Sequence, residues 1–262
     1  LVINPKTRRI HADFHQLGTD SARLSCSGGE SAVNLQQLPR DAETRACFVC
    51  EKGNKFISED YQSQESRIIA SVANDAAMLH LYEPGQCGDM HALVAYMSYP
   101  DHIPRDTKIE DIATLYKPWR QEAKSIEFCI NYGGTDATMV QNNGLDPKEA
   151  KKIYDAYMEG FSGVAKYQKY CRNAVIRDGY ILMNPVTGHR AHIPDWDNKW
   201  SVIKNNMSAP EFWENYNYLK KYDPYCEEVQ EIRQYFRVKS DVEKQSINYR
   251  IQNRGAMCSK LL

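Results

Sequence analysis

Two short stretches of this 262-residue chain combine residue types and spacings that can do chemistry. The first is Asp60-Tyr61-Gln62-Ser63-Gln64-Glu65-Ser66-Arg67, where an alternating pattern gives way to helical periodicity. A carboxylate at the end of a strand is charged, rigidly supported and open on one side, which suits a divalent cation. Glu65 then falls on the first helical turn and faces back over the same pocket. The same residues equally fit a plain helix start, with Asp60 as cap and Glu65 at the positive end of the helix dipole. The second stretch is Arg120-x3-Lys124-x3-Phe128-x3-Tyr132-Gly133. On a helix each fourth position drifts by only about 40°, so Arg120, Lys124 and Phe128 make one stripe roughly 12 Å long. Two cations and a ring at that spacing suit a nucleoside triphosphate lying along the helix, with the phosphates on Arg and Lys and the sugar on the ring. A solvated basic face with an aromatic anchor in the core fits the bare pattern as well.

Elements able to position these residues follow from the pattern of the chain. Residues 1–40 are irregular and punctuated by Gly18, Gly28, Gly29 and Pro39. The spacing predicts a hairpin over 45–60, with strands Arg45–Cys50 and Lys55–Ser58 and a turn at Glu51-Lys52-Gly53-Asn54. Helices are predicted from Glu65, from Met90 to Met97, and from Trp119 to the stop at Gly133-Gly134. Asp146-Pro147-Lys148-Glu149 starts another, with Asp146 as N-cap, and Ile153, Tyr157 and Phe161 form its apolar stripe. A helix over Gly163–Arg177 leads to two short strands, Gly179–Leu182 and His189–Ile193. Residues 196–230 show no period, and the last helices are expected over Ile232–Asn248 and from Gln252.

Composition bounds the function. At 42% hydrophobic residues the chain can bury a sizeable core, which excludes a disordered protein. No apolar run approaches the roughly 18 residues of a membrane span, and the first residues lack the form of a signal peptide. Eight cysteines without a short-range repeat indicate free thiols, hence an intracellular, cytoplasmic setting. Cys47 and Cys50 have the spacing of half a zinc knuckle, but no second pair follows. The net charge of −1 hides segregation. Residues 117–190 carry 11 basic against 8 acidic side chains and 231–262 carry 7 against 3, whereas 68–116 carry 2 against 7 and 191–230 carry 4 against 7. Local fields decide polyanion binding, so a nucleotide or nucleic-acid groove remains compatible with the near-zero total.

In their order, these elements resemble the DNA polymerase I family (family A). Thr19–Ser25 is similar to that family's primer-contacting loop, and Asn34–Arg40 to the segment after it. Asp60–Arg67 resembles motif A, Asp89-Met90-His91 the following Asp-x-His, and Arg120–Gly133 motif B on the fingers helix. Phe161-Ser162-Gly163-Val164, Gly179-Tyr180 and Asn248–Gln252 resemble later landmarks. The resemblance implies a template-directed DNA polymerase working by two-metal nucleotidyl transfer. Asp60 and the Tyr61 carbonyl would bind magnesium. Arg120 and Lys124 would hold the triphosphate with support from His91. Glu65 would exclude a ribose 2′-OH, Phe128 would pack on the sugar, and Tyr132 would stack at the template position. Arg23, Asn248 and Gln252 would contact DNA, Arg23 and Gln252 in the minor groove at the primer end.

The pattern also departs from the family. Gln62-Ser63 replaces the usual Ser-Gln, Ala22 stands where Gly is usual, Arg250 where Pro is usual, and Asn253-Arg254-Gly255 replaces a Gly-Thr-Ala-like run; these variants are nearer to phage polymerases. No His-Asp-Glu of motif C occurs in the chain. The implied fold is α+β, a partial right hand. Residues 1–67 would be part of an antiparallel palm sheet, 68–242 mostly helical fingers, and 243–262 the start of a helix returning to the palm. Primer-template DNA and deoxynucleoside triphosphates would be its ligands, and a partner polypeptide would supply motif C and the rest of the palm. An incomplete sheet would leave an exposed edge and poor solubility. The alternative in a different class is a non-catalytic nucleic-acid or nucleotide-binding module. A third reading changes the template or sugar, as in reverse transcription or RNA synthesis; Glu65 argues for deoxynucleotides, and Phe128 suggests discrimination against dideoxy analogues.

Overall fold

The computed structural model describes residues 3–27, 33–39, 41–194, 196 and 200–260. Gly28, Gly29, Arg40 and Leu262, noted above, lie outside the described residues. The chain is α+β and heavily helical, with two small antiparallel ribbons. Strands β1 (Asp13–His15) and β2 (Ser25–Ser27) pair in the first, with Phe14 opposite Cys26. Strands β3 (Tyr180–Asn184) and β4 (His189–His192) pair in the second, close to their predicted positions.

The predicted hairpin over 45–60 does not form. Helix α1 (Ala42–Ala46), capped by the Asp41 side chain on the Thr44 amide, takes its start, and residues 47–62 carry neither helix nor strand. Alternation marks a strand only where a neighbour takes up its backbone groups and one face is covered. Here Val49, Phe56 and Ile57 are all strongly exposed, Ile57 at 84%. Asp60 therefore ends a segment without regular structure, not a sheet strand.

From Gln64 onward the helical pattern holds. Helices α2 (Gln64–Ala73), α3 (Ala76–Leu81), α4 (Met90–Ser98), α5 (Ile109–Leu115) and α6 (Lys117–Asn131) are followed by α7 (Asp136–Asn143), α8 (Pro147–Gly160) and α9 (Ser162–Asp178). Asp146 caps α8 as its sequence implies, accepting from the Lys148 amide at 2.8 Å and the Glu149 amide at 3.3 Å. Gly133, at φ 84°, turns the chain out of α6, and Gly179, at φ 71°, ends α9. The main core joins Ile69 and Met78 to Met90 and Val94, then to Ala123, Ile126 and Ile130 of α6, and to Ile153, Tyr157 and Phe161 of the α8 stripe.

Residues 196–230, without period in the sequence, contain α10 (Ser201–Asn206) and α11 (Pro210–Tyr222). The two terminal helices predicted separately are one, α12 (Glu227–Ser259). Arg250, unlike a proline, keeps its backbone donor, so nothing breaks the ladder. The lone interior glycine, Gly255, lets α2 approach: a Cβ there would lie 3.3 Å from Gln64 Oε1. A second core gathers Val175, Ile181, Met183, Trp196 and Trp200 against Tyr235 and Val242 of α12.

Two tight junctions hold these parts in register. Asp75, buried, caps α3 through the Met78 amide at 3.0 Å and also accepts from the Gly163 amide at 2.7 Å at the start of α9. A Cβ on Gly163 would meet the Asp75 Cα at 2.8 Å, a backbone contact that cannot yield cheaply. At the other junction, residues 19–23 dock on α12. Ser21 Oγ donates to Gln252 Oε1 at 3.2 Å, Asn253 Nδ2 donates to the Ser21 carbonyl at 3.0 Å, and Lys260 Nζ donates to the Ala22 carbonyl at 2.9 Å. Ala22 sits there at φ 60°, where a side chain is strained.

Two stability changes should follow. Asp75→Ala removes one acceptor from two helix starts and should cost about 2 kcal/mol in urea unfolding; a loss below a few tenths would mean that the double cap carries no weight. Ala22→Gly relieves the left-handed strain, and the same titration should find the variant more stable by about 1 kcal/mol.

Candidate active site

The N-terminal end of α2, the segment before α4, and one face of α6 enclose a cavity of about 450 Å³. Asp60, Tyr61 and Glu65 line one side of it, and His91, Arg120, Lys124 and Phe128 line the other. A carboxylate and a cationic ridge that the sequence separates by sixty residues thus face the same space.

The amphipathic pattern of α6 explains the ridge. Ala123, Ile126 and Ile130 are buried in the main core, which turns Arg120, Lys124 and Phe128 outward in a row. Lys124 Nζ lies 5.8 Å from the Phe128 ring centroid, and Phe128 stacks on Tyr132 at 6.1 Å. Among the described residues Lys124 has no salt bridge. Arg120 has one: its Nε and a terminal nitrogen reach both oxygens of Asp89 at 2.8 and 3.1 Å. Asp89 also caps α4 through the Ala92 amide at 3.0 Å, so it fixes Arg120 to the helix that presents His91.

Asp60 is not a helix cap. Ser63, at φ 52°, holds the N-cap position of α2 and makes no side-chain cap bond, while Asp60 stands exposed at the cavity edge. Tyr61 is anchored through its hydroxyl, which donates to the Cys258 carbonyl at 3.4 Å. Glu65 faces the opposite end of the stripe, where it accepts a short hydrogen bond from the Tyr132 hydroxyl and lies 4.0 Å from an Arg23 nitrogen. Burial, then the hydrogen bond to Glu65 and its charge, push the Tyr132 phenol above its ordinary range, so Tyr132 remains a donor at neutral pH.

Gln252 and Arg23 line a smaller recess of about 180 Å³ beside Glu65 and Gln64. Asn248 lines neither space; its Oδ1 is buried and has no partner among the described residues. Cys47 and Cys50 are exposed, and each thiol donates to a backbone carbonyl, of Glu43 and Asn54 respectively.

Sequence reasoning missed Glu127. This carboxylate on α6 is 0% exposed. Its Oε1 accepts from Ser66 Oγ of α2 at 2.6 Å and from Asn131 Nδ2 at 3.1 Å, and its Oε2 pairs closely with His91 Nδ1 of α4. Asn131 in turn accepts from the Tyr157 hydroxyl of α8 at 2.7 Å. The available signal was a charge set within the apolar phase of α6.

As a magnesium site the donors are partial. Asp60 and the Tyr61 carbonyl would supply hard oxygen ligands on one side, and Glu65 is engaged by Tyr132. Among the described residues no cluster of three or more His, Cys, Asp or Glu side chains could hold a metal ion. No helix among them is long and apolar enough to cross a membrane.

Comparison with known proteins agrees with the geometry. The family model for DNA polymerase family A matches residues 1–262. A DNA polymerase of Mycobacterium phage D29 is 31% identical over 179 residues, covering 68% of this chain and 27% of that protein. DNA polymerase I of Pseudomonas aeruginosa is 30% identical over 206 residues, covering 77% and 21%. The chain thus spans about a quarter or less of the length of these relatives. The fold is similar to that of the POL domain of Pol1 from M. smegmatis, solved with DNA primer-template and dNTP. The TM-score is 0.66 at 22% identity, over 97% of this chain and 36% of that one. With the family's match running the whole length of the sequence, the chain belongs to DNA polymerase family A.

Proposed function

We propose that this chain forms the fingers and part of the palm of a template-directed DNA polymerase, with residues 1–67 as partial palm, 68–242 as fingers and 243–262 as the return to the palm. The single observation that carries the reading is the cavity shared by Asp60 and the Arg120–Lys124 ridge. A triphosphate in that space meets Lys124, Arg120 and His91 on one wall, while its sugar reaches Phe128 and Glu65. Charged donors held in place before the ligand arrives stabilise developing phosphate charge without reorganisation. Glu65, fixed by Tyr132, leaves no room for a ribose 2′-OH, which makes the product DNA. Tyr132 at the end of the stripe is the stacking position for the template base. Arg23 and Gln252 face the primer end, where Asn248, its Oδ1 buried, does not reach, and the Ser21 bond to Gln252 pre-sets that side chain.

Magnesium would be held on one side by Asp60 and the Tyr61 carbonyl, and when bound it neutralises the phosphates and the attacking and leaving oxygens. The opposing carboxylate comes from further polypeptide, on the same or a separate chain. Of the other carboxylates lining the cavity, Asp89 is paired with Arg120 and Glu65 with Tyr132; with both engaged, the second reading is a nucleotide- or DNA-binding module without chemistry.

Primer extension by the complete polymerase separates the two readings. Lys124→Ala should lower incorporation by about tenfold to a hundredfold, the effect of one lost charge-assisted contact, while duplex affinity changes little. Equal small changes in both would favour the module. In the same assay Glu65→Ala should raise ribonucleotide incorporation relative to deoxyribonucleotide; unchanged sugar selectivity would remove Glu65 from the gate.

A further inference from the structure

We infer that Glu127 is the positioning residue for His91: buried behind the ridge, it holds the imidazole so that the ring enters the nucleotide cavity as a cation. The inference rests on the proposed triphosphate site and deepens it.

Glu127 is wholly buried, and its three partners are Ser66 Oγ, Asn131 Nδ2 and His91 Nδ1. A hydroxyl and an amide nitrogen both donate to Oε1, which is the arrangement an ionised carboxylate satisfies, since it can only accept. A buried charge of that kind persists where donors and a counter-charge surround it. His91 supplies the counter-charge. Its Nδ1 is taken by Oε2, so Nε2 is the nitrogen left for a ligand in the cavity that His91 lines. A neutral ring donating from Nδ1 would present a bare lone pair at Nε2, which repels phosphate oxygen. Only the imidazolium donates at both nitrogens.

The arrangement also fixes where that cation points. Glu127 lies on the same helix as Lys124 and Phe128, and the His91 ring sits 5.8 Å from the Phe128 ring. Ser66 ties the same carboxylate to the helix that carries Glu65. One buried group therefore sets His91 relative to both walls of the site without touching a ligand itself.

The test uses the whole chain, with dTTP and thymidine as probes in the presence and absence of Mg2+, and heteronuclear NMR of the histidine ring nitrogens. Glu127→Gln keeps an oxygen for Ser66 and Asn131 but turns an amide toward His91, which removes the counter-charge. With dTTP bound, the wild-type His91 ring should show both nitrogens protonated, and the variant ring only one. The affinity for dTTP should fall by about tenfold, with thymidine binding unchanged. Tyr157→Phe is the control. It removes a hydroxyl from the same buried network at Asn131 and leaves every bond of Glu127, so a purely structural role predicts like effects from both variants, whereas positioning predicts loss from Glu127→Gln alone. An unaltered ring spectrum and dTTP affinity in Glu127→Gln would overturn the inference. Lys124→Ala in the same titration reports on the underlying site separately: if it too leaves dTTP binding unchanged, the triphosphate reading fails, while the ring spectrum still decides the role of Glu127.

Discussion

A hydrogen-bonded carboxylate–imidazole pair between three helices constrains everything around the cavity. Glu127 and His91 meet where α2, α4 and α6 converge, and Asn131 extends the network to Tyr157 of α8. Breaking such a network strands a charge away from water, which costs several times what a surface pair contributes. The helices therefore cannot slide past one another without loss. Because α6 also carries Arg120, Lys124 and Phe128 on its outer face, fixing the inner face fixes the ridge.

How much of this was legible depended on whether the signal was local. The α6 stripe was, because helical spacing alone puts Arg120, Lys124 and Phe128 in line. So were the Asp146 cap, the Ile153-Tyr157-Phe161 stripe and the β3–β4 ribbon. The hairpin over 45–60 was not, since Val49, Phe56 and Ile57 alternate convincingly but find no partner strand here. The unity of α12 was also hidden: the expected boundary between Asn248 and Gln252 vanishes because Arg250 keeps its amide and the helix runs through it. Glu127 escaped because one charge in an apolar phase is read as an irregularity of the pattern. Its three donors come from residues as distant as Ser66 and His91, which no spacing rule connects. The likeness to the polymerase family supplied the roles of Asp60, Glu65, Tyr132, Arg23 and Gln252, which composition and periodicity did not.

The two ends of the stripe are built differently, and the difference follows from chemistry. At one end Arg120 is already paired with Asp89 through two hydrogen bonds, a planar fork on a planar carboxylate. A ligand phosphate reaching Arg120 has to share it with Asp89 or displace that carboxylate. Lys124 has no such competitor among the described residues, and His91 is held from behind by Glu127, leaving its other ring nitrogen toward the cavity. In the proposed site Lys124 is thus the cation free to meet phosphate first, while Arg120 contributes position more than unspent charge.

At the other end, the selectivity proposed for Glu65 needs a rigid wall, and its hydrogen bond from Tyr132 would provide one. A carboxylate alone on the first turn of α2 could swing, because nothing in the backbone holds its side chain. The Tyr132 hydroxyl removes that freedom, and it stays a donor because burial and the Glu65 charge both disfavour losing its proton. Tyr132 lies directly after α6 and Glu65 lies on α2, so the bond also spans the two elements that Glu127 and Ser66 join at the opposite face of the same helix. Movement of α6 away from α2 would have to break both contacts. In the proposed site the wall beside the sugar and the histidine beside the phosphates would then be displaced together, so that sugar selection and triphosphate binding would be coupled through the placement of one helix.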